Sequence, residues 1–161
     1  MPIKVGDKIP AATFRVMTAE GPKPLTTDEV FKGKKVALFA VPGAFTPTCS
    51  NLHMPSFLNN IAAFKAKGVD TVAVTGVNDA FVMKEWAKAT GGDGKIEFLA
   101  DGNAEFAKGV GMDFDGAGAG LGVRSKRYSM LVEDGVVKQL NVEDAPGKCE
   151  ISGGQALLAQ I

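Results

Sequence analysis

The sequence predicts a three-layer α/β domain in which helices cover both faces of a mixed β-sheet. Short apolar, β-branched runs alternate with segments whose apolar residues recur at helical spacing. The last third of the chain differs, because two strand-like runs flank Asp134-Gly135, a strong hairpin signal. A length of 161 residues with 45% hydrophobic content suits one domain, over residues 1–161, with a sizeable core.

The first predicted strand is the apolar run Lys35–Val41, whose composition is typical of a strand buried on both faces. Pro42-Gly43 ends this run. From Thr48 onward the apolar residues follow helical spacing, and the basic residue and glycine at Lys67-Gly68 predict the end of that helix. A buried strand, a short loop and a long helix are therefore expected in succession.

The downstream elements continue the alternation and then close it with a hairpin and a helix. They are a strand over residues 69–77, a helix from Asn78-Asp79 to Gly91-Gly92, a strand over 96–100, a helix over 101–110, strands over 128–133 and 136–142, and a helix over 152–160. Alternating elements followed by an antiparallel pair are the pattern of thioredoxin-like folds. Periodicity does not determine the order of the strands.

Composition excludes several classes of function. The 18 basic and 18 acidic residues cancel, so the chain has no long-range attraction for phosphates and we expect no nucleic-acid partner. The longest apolar run is far too short to cross a bilayer, and the first ten residues lack the apolar core of a leader peptide. We therefore expect no membrane association and a cytoplasmic location.

The two cysteines, Cys49 and Cys149, do not form a disulfide framework, since a domain of this size needs no covalent staple. Together with the single histidine, His53, they supply too few ligands for a structural zinc site. A chemical role for a cysteine is the more informative hypothesis.

Cys49 has the sequence context of a reactive thiol. It follows the strand that ends at Val41 and lies at the predicted first turn of the next helix. Free backbone N–H groups and the positive end of the helix dipole at that position favour thiolate over thiol.

The stretch from Pro42 to Cys49 has the order P-x-x-x-T-x-x-C, with Thr46 at the threonine position, and resembles the active-site signature of the peroxiredoxins. The surrounding string, followed by His53 and Pro55, is similar to the branch that contains mammalian peroxiredoxin 5 and the plant type II enzymes. The resemblance extends from about Val5 to the C-terminus. A second segment, over residues 122–128, supports it, because the family places an arginine just before a late strand.

The resemblance implies a thiol-dependent peroxidase acting on hydrogen peroxide and alkyl hydroperoxides. Cys49 would attack the peroxide O–O bond and become a sulfenic acid, releasing water or an alcohol. Arg124, at the matching family position, and backbone amides would hold the thiolate and the peroxide, while the Thr46 hydroxyl would bond a peroxide oxygen and Pro42 would limit water access. No metal or organic cofactor is implied. Arg127, three residues later, would support Arg124 or face solvent.

Two residues at variable positions of the signature are candidates for substrate binding. Thr48 precedes the cysteine directly, and Phe45 places an aromatic ring on the active-site loop. Phe45 suits either a collar around the substrate or a contact between subunits, since the resemblance also implies a homodimer packed near the active site.

Cys149 leaves the second half of the reaction open. Mammalian relatives carry a resolving cysteine in this C-terminal region, so Cys149 would attack the sulfenic acid to form an internal disulfide. Plant relatives carry their second cysteine where this sequence has Val74. The alternative is a one-cysteine cycle recycled directly by glutathione or glutaredoxin, with thioredoxin as a further candidate reductant.

Two other classes of function remain open at this point. His53 lies four residues after Cys49 and could pair with it in a cysteine hydrolase, although helix packing or hydrogen bonding is the favoured role of His53. The chain could also be a non-enzymatic thiol sensor or chaperone. The glycine-rich run over residues 116–122 lacks the spacing of a nucleotide-binding loop and predicts a flexible loop instead.

Overall fold

A computed structural model describes residues 2–161 of the chain. Its nine strands form a seven-stranded sheet and a separate two-stranded hairpin. The strands are β1 (Thr13–Thr18), β2 (Gly21–Thr26), β3 (Lys35–Val41), β4 (Thr71–Gly76), β5 (Glu97–Ala100), β6 (Asp113–Asp115), β7 (Val123–Ser125), β8 (Tyr128–Glu133) and β9 (Val136–Val142). The α-helices are α1 (Thr27–Phe31), α2 (Met54–Leu58), α3 (Ile61–Ala66), α4 (Ala80–Thr90), α5 (Glu105–Gly109) and α6 (Gly154–Gln160).

The large sheet is mixed, as the sequence predicts. Its strand order is β2-β1-β5-β4-β3-β8-β9, with β3, β4 and β5 parallel to one another. The remaining pairs are antiparallel, including β8 against β3. Ala40 is paired with Tyr128 at the end of that ladder, so the residue before β8 lies beside the carboxyl end of β3. The loop that carries Cys49 leaves the sheet at this point.

Several predicted elements occur where the sequence indicates them. The strand over Lys35–Val41 is observed with the predicted bounds. The hairpin of β8 and β9 turns through Asp134 and Gly135, whose φ angles of 49° and 78° suit the tight turn that matches strand twist. Helix α4 begins after Asp79, whose side chain accepts from the Val82 amide, and ends at left-handed Gly91.

The predicted long helix after Thr48 is wrong as a single element. It consists of a π-helical turn over Cys49–His53, followed by α2 and α3. The break between α2 and α3 has a local cause, because the Asn60 side chain donates to the Ser56 carbonyl that its own backbone amide would otherwise reach. The predicted helix over residues 101–110 is also shorter, since α5 begins only at Glu105.

The N-terminal hairpin of β1 and β2 and the short helix α1 were not predicted from the sequence. Strand β2 contains Pro22 and Pro24, and prolines within a run argue against a strand. The structure tolerates them because β2 is the edge of the sheet, where an absent N–H breaks no ladder. Helix α1 is stabilised by a capping box between Thr26 and Glu29.

Apolar side chains pack on both faces of the sheet in two clusters. One contains Phe14, Phe31 and Phe106. The other contains Cys49 together with Phe57 and Trp86. Met54 and Met83 also belong to this second cluster and are core residues. Within residues 2–161 no helix is both long and apolar enough to pass through a bilayer.

Candidate active site

Cys49 begins the π-helical turn and its side chain is completely buried. The turn is closed by the Met54 amide, which donates to the Cys49 carbonyl five residues earlier. Pro55 follows directly and has no N–H to donate to the carbonyl of Asn51, four residues before it. The wider turn removes the need for that bond, and turns of this kind often occur at functional sites.

Arg127 holds the Cys49 sulfur. Its Nη2 donates to Cys49 Sγ at 3.0 Å, and the side chain is only 2% exposed. Arg127 precedes β8 and therefore lies at the carboxyl end of β3, where the cysteine loop begins. None of the salt bridges within residues 2–161 includes Arg127, so no carboxylate competes with the Cys49 sulfur for this buried cation.

This contact corrects the prediction that Arg124 holds the thiolate. Arg124 lies on β7, in the two-stranded hairpin, and its guanidinium donates to the carbonyls of Leu121 and Pro42. The sequence signal that would have identified Arg127 is its place immediately before β8. Only the pairing of β8 with β3 shows which of the two arginines reaches the cysteine.

The other nitrogens of Arg127 are also engaged. Nη1 lies 3.0 Å from His53 Nδ1, and Nε donates to the Pro146 carbonyl at 3.0 Å. His53 Nε2 lies 2.9 Å from the Ser152 carbonyl. A guanidinium can only donate and a carbonyl can only accept, so His53 accepts at Nδ1 and carries its proton on Nε2.

His53 is therefore a support for Arg127 rather than a base for Cys49. Burial, reinforced by the Arg127 charge and opposed by the Ser152 hydrogen bond, lowers the pKa of His53 from its ordinary value of 6.5 to about 3. A neutral histidine with both nitrogens engaged has no free site for a proton from the thiol. This geometry does not favour the hydrolase hypothesis, and hydrogen bonding is the role that His53 has.

The loop before Cys49 forms a turn around Gly43. The Thr46 hydroxyl donates to the Gly43 carbonyl at 2.8 Å, and the Ala44 amide donates to Asn78 Oδ1 at 2.9 Å. Phe45 has a φ of 66°, in the left-handed region that non-glycine residues rarely adopt. Pro42 is buried at the base of the turn, where it can keep water from the sulfur.

The two predicted substrate-binding residues have different surroundings. Phe45 projects from the turn with 53% of its surface exposed. Thr48 is half-buried, and its hydroxyl donates to the Gly147 carbonyl at 3.0 Å. Thr48 therefore ties the start of the cysteine turn to the C-terminal segment, and its hydroxyl proton is not available to a substrate in this arrangement.

Cys149 lies in the C-terminal segment, defined here as residues 143–153. Cys149 and Cys49 are both free thiols. Partial burial raises the pKa of Cys149 above its ordinary value, while the Arg127 charge acts in the opposite direction. The buried Glu143 carboxylate holds the segment from within, because its Oε2 accepts from the amides of Glu150 and Ser152, which both follow Cys149.

The glycine-rich run over residues 116–122 is ordered by its own backbone. A 3-10 turn over Ala117–Ala119 and a hydrogen bond from the Gly116 amide to the Gly122 carbonyl close the hairpin of β6 and β7. The run is thus the connection between two short strands, and the flexible loop expected from its composition is a structured turn. Among residues 2–161 no cluster of three or more metal-binding side chains occurs.

The model of the Redoxin family matches residues 4–158 of the chain. The chain belongs to the Redoxin family, as a peroxiredoxin. It is 50% identical to the chloroplastic peroxiredoxin-2E-2 of Oryza sativa subsp. japonica over 99% of its own length and 72% of that protein. It is 46% identical to the chloroplastic peroxiredoxin-2E of Arabidopsis thaliana over 88% of its own length, and spans 62% of that relative.

A solved relative shares the whole fold of this peroxiredoxin. The crystal structure of reduced Prx3 from Vibrio vulnificus in complex with hydrogen peroxide is 49% identical and superimposes with a TM-score of 0.92. The match covers 98% of each chain. It confirms the thioredoxin-like class predicted from the alternation of strands and helices.

Proposed function

We propose that this peroxiredoxin is a thiol-dependent peroxidase that reduces hydrogen peroxide and alkyl hydroperoxides at Cys49. The observation that carries the proposal is the buried Arg127 guanidinium, 3.0 Å from the Cys49 sulfur and without a carboxylate partner among residues 2–161. A buried cation of this kind stabilises a thiolate, the nucleophilic form of cysteine. The Vibrio relative binds hydrogen peroxide, which supports the same substrate here.

The chemistry needs the peroxide, one proton from the solvent and groups that the chain supplies. The thiolate attacks one peroxide oxygen, forming an S–O bond while the O–O bond breaks. The departing hydroxide or alkoxide takes up a proton and leaves as water or an alcohol, and Cys49 becomes a sulfenic acid. Because the Thr46 hydroxyl proton is engaged by Gly43, its lone pairs are free to accept a hydrogen bond from the peroxide O–H. Arg127 stabilises the negative charge that moves onto the departing oxygen.

The second half of the cycle is proposed to use Cys149. Its sulfur would attack the Cys49 sulfenic acid, forming a disulfide, and the released hydroxide would combine with the proton lost from the Cys149 thiol to give water; an external thiol such as thioredoxin would reduce that disulfide. The C-terminal segment is bonded to the active site through Thr48, Arg127 and His53, so these bonds must open first. The alternative is direct reduction of the sulfenic acid by glutathione or glutaredoxin.

One experiment tests the peroxidase and separates the two cycles. The intact mass of the wild type, Cys49→Ser and Cys149→Ser is measured after one equivalent of hydrogen peroxide. We expect an internal disulfide in the wild type, a sulfenic acid in Cys149→Ser and no reaction in Cys49→Ser. Undiminished peroxide consumption by Cys49→Ser would refute the peroxidase site, whereas a lasting sulfenic acid in the wild type would refute only the role of Cys149.

Two assays of the wild-type protein, peroxide turnover and acyl-enzyme formation, distinguish a peroxidase from a redox sensor and from a hydrolase. A redox sensor would be oxidised once, while a peroxidase turns over many equivalents of peroxide with a thiol donor. A hydrolase would depend on His53 and would accumulate an acyl-enzyme on Cys49. Sustained turnover with thioredoxin or glutathione, and no acyl-enzyme with activated esters, is the result we expect.

We also propose a homodimer packed near the active site and a cytoplasmic location. Exposed apolar side chains support a subunit contact, and they include Phe45 on the active-site turn and Leu52 on the cysteine turn. Sedimentation equilibrium of the wild type and of Phe45→Ser tests the dimer, and we expect weaker association in the variant. Fractionation of producing cells tests the location.

A further inference from the structure

Arg124 does not contact the sulfur, but it lies against the turn that carries Thr46. Its Nη1 donates to the Pro42 carbonyl at 3.2 Å, and its Nε donates to the Leu121 carbonyl at 2.9 Å. The side chain is half-buried. One guanidinium thus joins the hairpin of β6 and β7 to the first residue of the active-site turn.

Gly43 makes this close approach possible. A Cβ atom at Gly43 would lie 2.7 Å from Arg124 Nη1 and 3.2 Å from Thr46 Cγ2. Arg124 and Thr46 therefore both border the space that a side chain at position 43 would fill. Any movement of the guanidinium frees space next to the residue whose carbonyl holds the Thr46 hydroxyl.

The active-site turn depends on such external contacts. Its Phe45 has a positive φ of 66°, a conformation that persists only where the surroundings hold it. Asn78 holds the middle of the turn through the Ala44 amide, and Gly43 holds the Thr46 hydroxyl. Arg124 is the contact at the start of the turn, on the Pro42 carbonyl.

We infer that Arg124 is a positioning residue that fixes the Pro42–Thr46 turn and thereby aims the Thr46 hydroxyl at the peroxide. The inference rests on the proposed peroxidase function. The two arginines then have different roles. Arg127 stabilises the Cys49 sulfur, and Arg124 orients Thr46, the residue that binds the peroxide. Orientation of this kind has a large effect on rate, because a displacement of about 1 Å can slow a reaction on the order of a hundredfold.

The test compares two reactions of Cys49 that need different parts of the site. Reaction with hydrogen peroxide needs the turn, whereas alkylation by iodoacetamide needs only an accessible thiolate. For Arg124→Gln we expect the peroxide rate constant to fall roughly 10- to 100-fold, with the alkylation rate and its pH dependence unchanged. Arg127→Gln should slow both reactions, and Arg15→Gln, on the exposed part of β1, should change neither.

A double-mutant cycle with Thr46→Val tests whether Arg124 acts through Thr46. We expect Arg124→Gln to cause little further loss in the Thr46→Val background, because the two substitutions remove the same interaction. Fully additive losses would overturn the inference. So would an Arg124→Gln enzyme with the peroxide rate of the wild type, or one whose alkylation shifts with pH as much as that of Arg127→Gln.

Gly43→Ala provides a second route to the same displacement if Arg124→Gln folds poorly. The added methyl would push against Nη1, so we expect slower peroxide reduction with normal alkylation. Arg124→Lys should recover part of the loss, since an ammonium can reach one carbonyl but cannot bridge two with a rigid fork. If the wild type itself leaves peroxide unreduced, the proposed function fails. If only the Arg124 variants match the wild type, this inference alone fails.

Discussion

Arg127 joins three parts of the chain at one side chain. It donates to Cys49 in the π-helical turn and, on either side of that bond, to His53 and the Pro146 carbonyl. A buried cation is costly unless its donors are satisfied, and here the two ends of the cysteine turn and the C-terminal segment satisfy them. The position of the charge beside the sulfur is therefore overdetermined, which is the preorganisation that a thiolate nucleophile needs.

Replacing Arg127 by lysine keeps the positive charge but removes the planar set of guanidinium N–H donors. A lysine ammonium cannot hold Cys49, His53 and the Pro146 carbonyl together, because it lacks the planar arrangement of donors. We expect the second-order rate with hydrogen peroxide to fall roughly 100-fold, the effect of removing one donor from a developing oxyanion. Stopped-flow kinetics provide the measurement, with Arg15→Lys as the control on an exposed arginine. A rate within twofold of the wild type would contradict the assigned role.

His53 makes stability depend on pH in a predictable direction. Its pKa is about 3 in the folded chain and its ordinary value is 6.5, so the unfolded state binds the proton more readily between these values. The stability that neutral His53 contributes is complete above about pH 6.5 and is lost progressively down to about pH 3. At pH 5 the expected loss is about 2 kcal/mol.

Urea unfolding of the wild type and of His53→Gln between pH 4 and pH 7 measures this effect. Glutamine does not titrate, so the free energy of unfolding of His53→Gln should fall less between pH 7 and pH 5 than that of the wild type. The difference should be about 2 kcal/mol. The comparison uses the slope with pH and not the absolute stability, because the substitution also disturbs Arg127. Parallel curves for the two proteins would show that His53 is not the titrating group.

At the scale of elements, the C-terminal segment is the part that must move for a disulfide to form. Glu143 holds this segment together, because its carboxylate accepts hydrogen bonds of 2.9 Å and 2.6 Å from the amides of Glu150 and Ser152. Cys49, the partner of Cys149 in the disulfide, lies in the cysteine turn. In that turn Ser50 Oγ accepts a hydrogen bond from the indole of Trp86 at 3.0 Å. Trp86 is the single tryptophan of the chain, so its fluorescence reports directly on the opening of that turn.

Glu143→Gln should speed disulfide formation after oxidation. Loss of the charge weakens two charge-assisted hydrogen bonds, by about 1 kcal/mol in total. It also removes a negative charge that raises the pKa of Cys149. We expect formation of the disulfide to be roughly fivefold faster, from the same free-energy difference. Fluorescence of Trp86, followed after mixing with peroxide, provides the readout.

Asp144→Asn is the matched control for Glu143→Gln. It removes the same charge from the same segment, but its carboxylate is 80% exposed and, among residues 2–161, forms an ion pair with Lys148 alone. Its disulfide rate should equal that of the wild type. An equal increase in the rate of disulfide formation in both variants would attribute the effect to net charge and not to the hydrogen bonds of Glu143.

At the scale of the whole molecule, α6 closes the structure by packing its first turn against α2. The Gly154 amide donates to Ser56 Oγ at 2.9 Å, and a Cβ at Gly154 would overlap the Ser56 carbonyl. Glycine favours helix formation poorly, and this contact explains why Gly153 and Gly154 stand at the start of α6. Small residues are required where the two backbones meet.

Gly154→Ala should therefore destabilise the whole domain. Inserting a methyl group into a packed contact costs about 1–3 kcal/mol, and it outweighs the gain in helix propensity. Gly147→Ala is the control, because a Cβ at that position has open space around it and the φ is not positive. Thermal unfolding by circular dichroism measures both. Equal melting temperatures for the two variants would contradict the packing argument.

The sequence by itself determined the local features of this protein. Composition and period identified the buried strand β3, the hairpin at Asp134-Gly135 and the capped helix α4, because neighbouring residues decide these structures. The motif around Cys49 likewise pointed to a thiol peroxidase. The sequence pattern did not predict β2, whose prolines are tolerated only because the strand lies at an edge of the sheet. It also did not predict the break in the helix at Asn60.

The tertiary structure alone decided which arginine serves the sulfur. Arg124 and Arg127 are three residues apart and equally basic, and the place of Arg127 just before a strand identifies it only once that strand is known to pair with β3. The antiparallel register of β8 on β3 brings Arg127 to the end of the cysteine loop, and the hairpin of β6 and β7 brings Arg124 to Pro42 instead. Contacts between residues distant along the chain depend on strand order and register, and periodicity within a strand carries no information about either.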